Sequence, residues 1–251
     1  RSSDLEICVN LTTEKFVDSV DEVLEEFGVE EKVKDLFVDH QNVVWLMTKD
    51  GLFNVDSQQT YELRKGRELQ DMDVLKDQYL LLFYDNGVME VLDLKTGNKL
   101  RDTRAYGQDM VNRYNRSSVL YNDDKSLFQL RNGGGEAIMM KLDLNTWEWK
   151  TILQLPYHMN NFAMEDSVLY VPTSYGYWTY DLRTEALEHI EMLQMATGEE
   201  LLTDINAMAF VKQGGMWVGT QRLGLLYSRP FSSPFKVYLW DQPRAIELTK
   251  L

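Results

Sequence analysis

The sequence predicts an all-β propeller of four-stranded blades, about five of them complete and a partial or mixed blade drawn from the two ends of the chain. Three observations carry that prediction. One hairpin pattern recurs near both ends, in Val43 to Asp56 (VVWLMTKDGLFNVD) and Gly215 to Ser228 (GMWVGTQRLGLLYS). Three D-L-x-T tetrapeptides occur in register, at Asp93, Asp143 and Asp181. The repeated segments follow one another about every 40 residues, the period of a unit made of four short strands and variable loops.

Taken in order, the first repeat reads as Trp, an aliphatic residue, Thr, a short polar turn, then Gly-Leu and a second apolar stretch. The strand carrying Trp45 is expected to pair with the strand after Gly51, and the strand of Trp217 with that after Gly224, glycine reversing the chain in each turn. Weaker copies end at Asp93 (QYLLLFYDNGVMEVLD), Asp143 (KSLFQLRNGGGEAIMMKLD) and Asp181 (SVLYVPTSYGYWTYD). In the tails that follow, an aspartate two or three residues before a threonine suits a tight turn, because both side chains reach nearby backbone N–H groups. Apolar runs such as TWEWKTIL and ALEHI then supply outer strands. The markers fall at Asp56, Asp93, Asp143, Asp181 and Ser228, and Val9 to Phe16 is expected to be a sixth, partial unit marked by Asn10. Solenoids need a shorter period or sustained helical periodicity, and neither is present. The one amphipathic helical stretch is Phe16 to Phe27, with Phe16, Val20, Val23, Leu24 and Phe27 on one face. Strands around Ile7 to Phe16 are expected to join a C-terminal strand from RAIEL and close the ring.

The repeat predicts burial between blades for Val44, Leu46, Leu80, Leu82, Leu169, Val171, Met216 and Val218. Trp45 and Trp217 are expected to pack blades rather than touch ligand, since each lies mid-strand.

The copies DLFVDHQNVVWLMTKDGLFNVD and INAMAFVKQGGMWVGTQRLGLLYSRP resemble the two-component regulator propeller repeat, roughly I-x-x-I-x-x-D, G-x-[IL]-W-[IV]-G-T, G-L-x-x-[YF], over residues 33 to 56 and 203 to 230. Between them Leu81 and Tyr170 take the tryptophan's region, and Gln-Asn-Val stands where D-G-x would precede Trp45. That repeat builds periplasmic sensor regions of hybrid two-component receptors, many of which respond to carbohydrates. The resemblance therefore implies a non-catalytic periplasmic sensor propeller that binds a carbohydrate. It also implies a larger receptor with two propellers, an immunoglobulin-like module, a membrane helix and a cytoplasmic kinase outside residues 1–251, which form a single propeller domain. A chain beginning at Arg1 rather than methionine is expected to be a trimmed or processed piece.

Forty Asp and Glu against 26 Lys and Arg give a net charge of -14, which argues against nucleic acid as a partner. No apolar run is long enough to cross a bilayer. One cysteine, Cys8, excludes an internal disulfide and a cysteine-rich zinc site. Catalytic, metal and cofactor residues are expected to be absent. His40, His158 and His189 lack metal-ligand spacing to one another. Asn132 to Glu136 (NGGGE) reads as a hairpin turn rather than a phosphate loop. Tyr121 to Lys125 (YNDDK) reads as a turn rather than a calcium loop.

Ligand binding is expected from the loops at one face. Arg101 to Arg116 concentrates Arg101, Arg104, Arg113 and Arg116 with Tyr106 and Tyr114 in an otherwise acidic chain. Guanidinium forks suit carboxylate or sulfate and tyrosines suit sugar faces, so an anionic oligosaccharide or another small acidic ligand fits this segment. The competing reading pairs these arginines with neighbouring Asp and Glu. Tyr157, His158 and Asn160 from the next connection, and Tyr175, Tyr177 and Arg222 from hairpin turns, are expected at the same face. Besides an oligosaccharide, the partners considered are a second propeller or a homodimer copy. The alternative functions are a protein-interaction scaffold and, behind it, a propeller-based glycan-active enzyme.

Overall fold

The computed structural model describes residues 8–10, 15–17, 28, 32–212, 214–228 and 236–238. Strands β1 (Cys8–Asn10) and β2 (Lys15–Val17) form an antiparallel hairpin. Five antiparallel sheets of four strands follow. The first holds β3 (Asp35–Val38), β4 (Val44–Met47), β5 (Gly51–Asn54) and β6 (Gln59–Glu62). In the second are β7 (Leu69–Leu75), β8 (Tyr79–Tyr84), β9 (Val88–Asp93) and β10 (Lys99–Arg104). A 3-10 turn, Gln108–Arg113, leads to β11 (Ser117–Asn122), β12 (Leu127–Asn132), β13 (Ala137–Leu142) and β14 (Trp149–Leu155). The fourth sheet is β15 (Ala163–Glu165), β16 (Val168–Pro172), β17 (Tyr177–Asp181) and β18 (Leu187–Ile190). A hairpin of β19 (Met192–Gln194) and β20 (Glu200–Leu202) precedes the fifth, β21 (Ile205–Val211), β22 (Gly215–Thr220), β23 (Leu225–Ser228) and β24 (Lys236–Tyr238).

Every sheet pairs its strands in sequence order, the up-and-down meander expected of a repeat unit. No α-helix occurs among the described residues. The helix expected from Phe16 to Phe27 is corrected at its start, because Phe16 and Val17 lie in β2 opposite Val9 and Cys8. Its remaining residues, and the closing strand expected from RAIEL, lie outside the described residues. The chain divides into two compact units, residues 1–111 with 122–127 and 143–148, and residues 112–121, 128–142 and 149–251.

The repeated tetrapeptides are turns whose chemistry is visible atom by atom. Asp93 Oδ1 accepts from the N–H groups of Lys95 and Thr96, at 3.2 and 2.8 Å. Asp143 Oδ1 does so for Asn145 and Thr146, and Asp181 Oδ1 for Arg183 and Thr184. In each turn the aspartate carbonyl also accepts from the residue four positions on, Gly97, Trp147 or Glu185, which has positive φ. The first sheet uses Asn54 in this role: its side chain accepts from Ser57 N and its carbonyl from Gln58 N, with Gln58 at φ 57°. The marker expected at Asp56 therefore belongs two residues earlier. A left-handed residue other than glycine costs about 1–2 kcal/mol, and the paired Asx and carbonyl bonds hold it in place.

The threonine of the Trp-x-x-Thr pattern, Tyr-x-x-Thr in the fourth sheet, is a turn residue too. The hydroxyls of Thr48, Thr173 and Thr220 donate to the carbonyls of Gly51, Gly176 and Gly224.

In the first unit the core gathers Trp45, Leu52, Tyr61, Leu80, Leu82 and Tyr84. In the second, Phe128, Leu130, Met139, Leu169, Val171 and Tyr180 form one cluster, and Leu193, Ile205, Val218 and Leu226 another. Of the residues expected to be buried, Leu46, Leu80, Leu82, Leu169, Val171 and Val218 are, whereas Val44 and Met216 are only partly covered. Residues 80–84 of β8 are 0% exposed throughout, so this strand is covered on both faces and its sequence shows no alternation. Each fully buried large side chain contributes about 1.5–3 kcal/mol.

Inside the first unit one histidine ties two turns to strand β7. His40 Nδ1 lies 3.0 Å from Asp73 Oδ1, and Nε2 lies 3.4 Å from Asp124 Oδ2. The backbone N–H of His40 also donates to Asp73, and Asn122 Nδ2 donates to the Val74 carbonyl at 2.7 Å. Partial burial acts to lower the His40 pKa, but the hydrogen bond and charge of Asp73 and the charge of Asp124 outweigh it and raise the pKa above the usual 6.5. A histidine held above its unfolded value contributes stability that is full below about pH 6.5 and fades as pH rises through the native value. Urea unfolding is therefore expected to show wild type more stable at pH 6 than at pH 8 by of the order of 0.5 kcal/mol after solvent screening. His40→Asn should remove that difference; an unchanged pH dependence in the variant would refute the role given to His40.

Candidate functional site

The sequence-predicted site residues separate between the two units. Arg101, Arg104 and Tyr106 belong to the first. The Arg101 guanidinium covers the Trp147 ring at 4.8 Å, so its flat face is already in use. Arg104 is exposed at the end of β10, opposite Val88. Tyr106 packs its ring onto Gly87, where a Cβ would come within 2.6 Å of it, and Ala105 N donates to the Gly87 carbonyl. These residues do not gather: Arg104 and Tyr106 lie at the β8–β9 end of the sheet, where Arg67 Nη1 is 4.0 Å from Asp85, while toward the β9–β10 end Lys99 bridges Glu90 and Asp102 at 2.9 and 2.8 Å.

In the second unit, Arg113 follows the competing reading. Its guanidinium grips the Glu136 carboxylate with two bonds, Nε to Oε1 at 3.0 Å and Nη2 to Oε2, and this partner holds the Glu136 pKa below its usual value. Tyr114 requires a correction: it is 0% exposed, and its hydroxyl accepts from Gln154 Nε2, so it offers no face to a ligand. Tyr177 is half-buried against Tyr170, and burial pushes its hydroxyl pKa up to about 12. Asn160 is committed to the Ile205 carbonyl at 2.7 Å. Arg116 and Arg222 are exposed, Arg222 in the β22–β23 turn.

Tyr157, His158 and Tyr175 do come together. The ends of β14, β16, β17 and β18 bring the connection after Leu155 beside the β16–β17 turn. His158 Nε2 donates to the Gly133 carbonyl at 3.2 Å, which anchors that connection on the β12–β13 turn. The Tyr157 ring meets the Tyr175 ring edge to face, centroids 4.9 Å apart. Its hydroxyl accepts from the Trp178 indole N–H at 3.3 Å. Trp178 in turn stacks on the His189 imidazole, 4.6 Å between centroids and 8° between planes, as their opposed positions in β17 and β18 require. His189 Nε2 donates to the Tyr175 carbonyl at 2.9 Å, closing the chain of contacts.

Trp178 and His189 were not legible as site residues in the sequence. Each is an alternate residue of an ordinary strand, and only the β17–β18 register makes them partners. The aromatic run YGYWTY was the available signal. The result is an aromatic platform with Tyr175 46% exposed, flanked by polar edges from Tyr157, His158 and His189. Such a surface can stack on an apolar ligand face while neighbouring groups hydrogen-bond its rim. Among the described residues no cluster of three or more His, Cys, Asp or Glu could hold a metal ion, and no helix is long and apolar enough to cross a membrane.

No protein-family model and no curated protein matches the chain. Solved structures do. The computationally designed Ika8 protein is similar over 80% of this chain and 59% of its own, at 13% identity and a TM-score of 0.53. BamB from Moraxella catarrhalis is similar over 78% and 60%, at 13% identity and a TM-score of 0.47. The extracellular domain of a hybrid two component system from B. thetaiotaomicron is similar over 86% and 34%, at 16% identity and a TM-score of 0.45. The chain thus spans about three fifths of the length of the first two. At 13% identity the likeness to the designed protein is one of fold alone.

Proposed function

We propose that the five sheets are blades of a propeller, and that this propeller is a non-catalytic, extracytoplasmic ligand-binding module of a signalling receptor. The ligand is a carbohydrate, taken up on the platform of Tyr157, Tyr175, Trp178 and His189. One observation supports the reading above the others: three residues selected from sequence as ligand contacts meet at one end of the fourth sheet, where the Tyr157 ring packs on the exposed Tyr175 and the His158 carbonyl accepts from the Ser174 N–H at 3.2 Å. The repeat resemblance supports a receptor context and a periplasmic location. Sugar rings present C–H faces to aromatic rings and hydroxyls to the groups at their edges, and the platform has both kinds of partner.

A thermal-shift screen against neutral and acidic oligosaccharides tests it, since a ligand of the folded state stabilises by mass action, about 2.7 kcal/mol at a hundred times its Kd. One glycan class is expected to raise Tm saturably. Tyr175→Ala, at an exposed position, should weaken that ligand about tenfold, equivalent to about 1.4 kcal/mol. Arg104→Ala should leave it unchanged. The opposite pattern, loss in Arg104→Ala and none in Tyr175→Ala, would move the site to the first unit.

A further inference from the structure

The hairpin of β19 and β20 has a face for which neither the repeat nor the ligand reading accounts. Its register pairs Met192 with Leu202, Leu193 with Leu201 and Gln194 with Glu200. Leu193, with Met195 just beyond, is buried in the core with Ile205 and Val218. The alternate residues point the other way: Met192 is 44% exposed and Leu202 50%, beside the Gln194–Glu200 hydrogen bond of 2.7 Å. The hairpin is fixed in place. Gly176 N donates to the Thr203 carbonyl at 3.1 Å, and a Cβ on Gly176 would lie 2.0 Å from the Ile190 carbonyl. Met192 and Leu202 therefore cannot turn inward without giving up Leu193, and the β16–β17 turn that carries exposed Tyr175 lies alongside.

Charge identifies what such a face accepts. From Thr184 to Val211 the chain has Glu185, Glu188, Glu191, Glu199, Glu200 and Asp204 and not one Lys or Arg. Of these, Glu185 is engaged by Lys150 at 2.8 Å on the far turn. An acidic rim repels an anionic lipid surface, and it repels a second copy of itself. It attracts cations. We infer that the Met192–Leu202 face is a docking surface for a basic segment of another polypeptide, one whose apolar side chain covers the Met192–Leu202 pair while Lys or Arg on either side meets the surrounding glutamates. This inference does not depend on the carbohydrate reading.

The test uses a phage-displayed library of random 12-residue peptides panned against the whole chain, with the strongest binder then synthesised. The expected binder joins Lys or Arg to Leu, Ile, Phe or Met, and it loses at least tenfold in affinity for the double variant Met192→Ser/Leu202→Ser. Glu191→Gln/Glu200→Gln should weaken it several-fold and flatten its dependence on salt. Because both pairs are exposed, unchanged thermal melts are expected for the variants, and Met192→Lys/Leu202→Lys, which sets two cations against the basic peptide, should abolish binding. No enrichment, acidic binders, or equal affinity for wild type and the serine variant would overturn the proposal. Loss of the peptide with oligosaccharide shifts intact, or the reverse, separates this surface from the platform.

Discussion

Trp45→Ala is expected to destabilise the protein by about 3–5 kcal/mol, while Trp217→Ala costs only about 1–2 kcal/mol. The two tryptophans hold the same place in the repeat, so sequence alone makes them equivalent. The structure does not. Trp45 is 0% exposed, packs on Tyr61 at 5.6 Å, and donates its indole N–H to Asp39 Oδ2 at 2.9 Å. The other oxygen of Asp39 accepts from Gln41 and Val43, so the indole anchors the turn between β3 and β4 as well as the core. Trp217 is partly exposed and rests on Tyr227, in a sheet where the corresponding turn begins Val211-Lys212 and offers no carboxylate. Trp45→Phe keeps most of the volume and loses the bond, and should cost about 1–3 kcal/mol because Asp39 is left with a buried oxygen unmatched. Urea unfolding of the three variants measures all of this. Equal costs at Trp45 and Trp217 would contradict the distinction.

Gly176→Ala is the second large effect, at about 2–5 kcal/mol. Gly176 has φ of 67°, and its missing Cβ would sit 2.0 Å from the Ile190 carbonyl oxygen and 2.8 Å from that of Glu191. Both obstacles are backbone, so relief requires β18 and the segment leading into β19 to move. The same shift would pull the Tyr175 carbonyl from His189 and the Gly176 N–H from Thr203. Denaturation should thus report a lower midpoint, and oligosaccharide and peptide binding should both weaken. Gly134→Ala is the control, because the nearest atoms to its Cβ are the flexible end of Arg116 at 3.7 Å. A Gly176→Ala protein as stable as wild type would mean that this turn is not fixed as described.

The parts legible in the sequence are those whose cause is local. An aspartate capping N–H groups two and three residues on needs no tertiary information, which is why the turns at Asp93, Asp143 and Asp181 could be read directly. Asn54 makes the fourth such turn, and it escapes a pattern keyed to aspartate although an asparagine oxygen accepts the same bond. Nonlocal features were less visible. The β19–β20 hairpin has strands of three residues each, too short to show alternation. Tyr114 looked like a ligand contact because it sits among arginines, yet it is a core residue. Trp178 and His189 become a pair only through strand register. Arg113 shows the limit of charge contrast as a signal, since a single glutamate 23 residues away takes up its guanidinium.

The most direct measurement is a crystal structure of the chain with the oligosaccharide that gives the largest thermal shift. The expected result is a sugar ring against the exposed face of Tyr175, with its hydroxyls within hydrogen-bond reach of Tyr157, His158 or His189. A sugar bound instead beside Arg104 and Tyr106, or ordered sugar with Tyr175 bare, would contradict it.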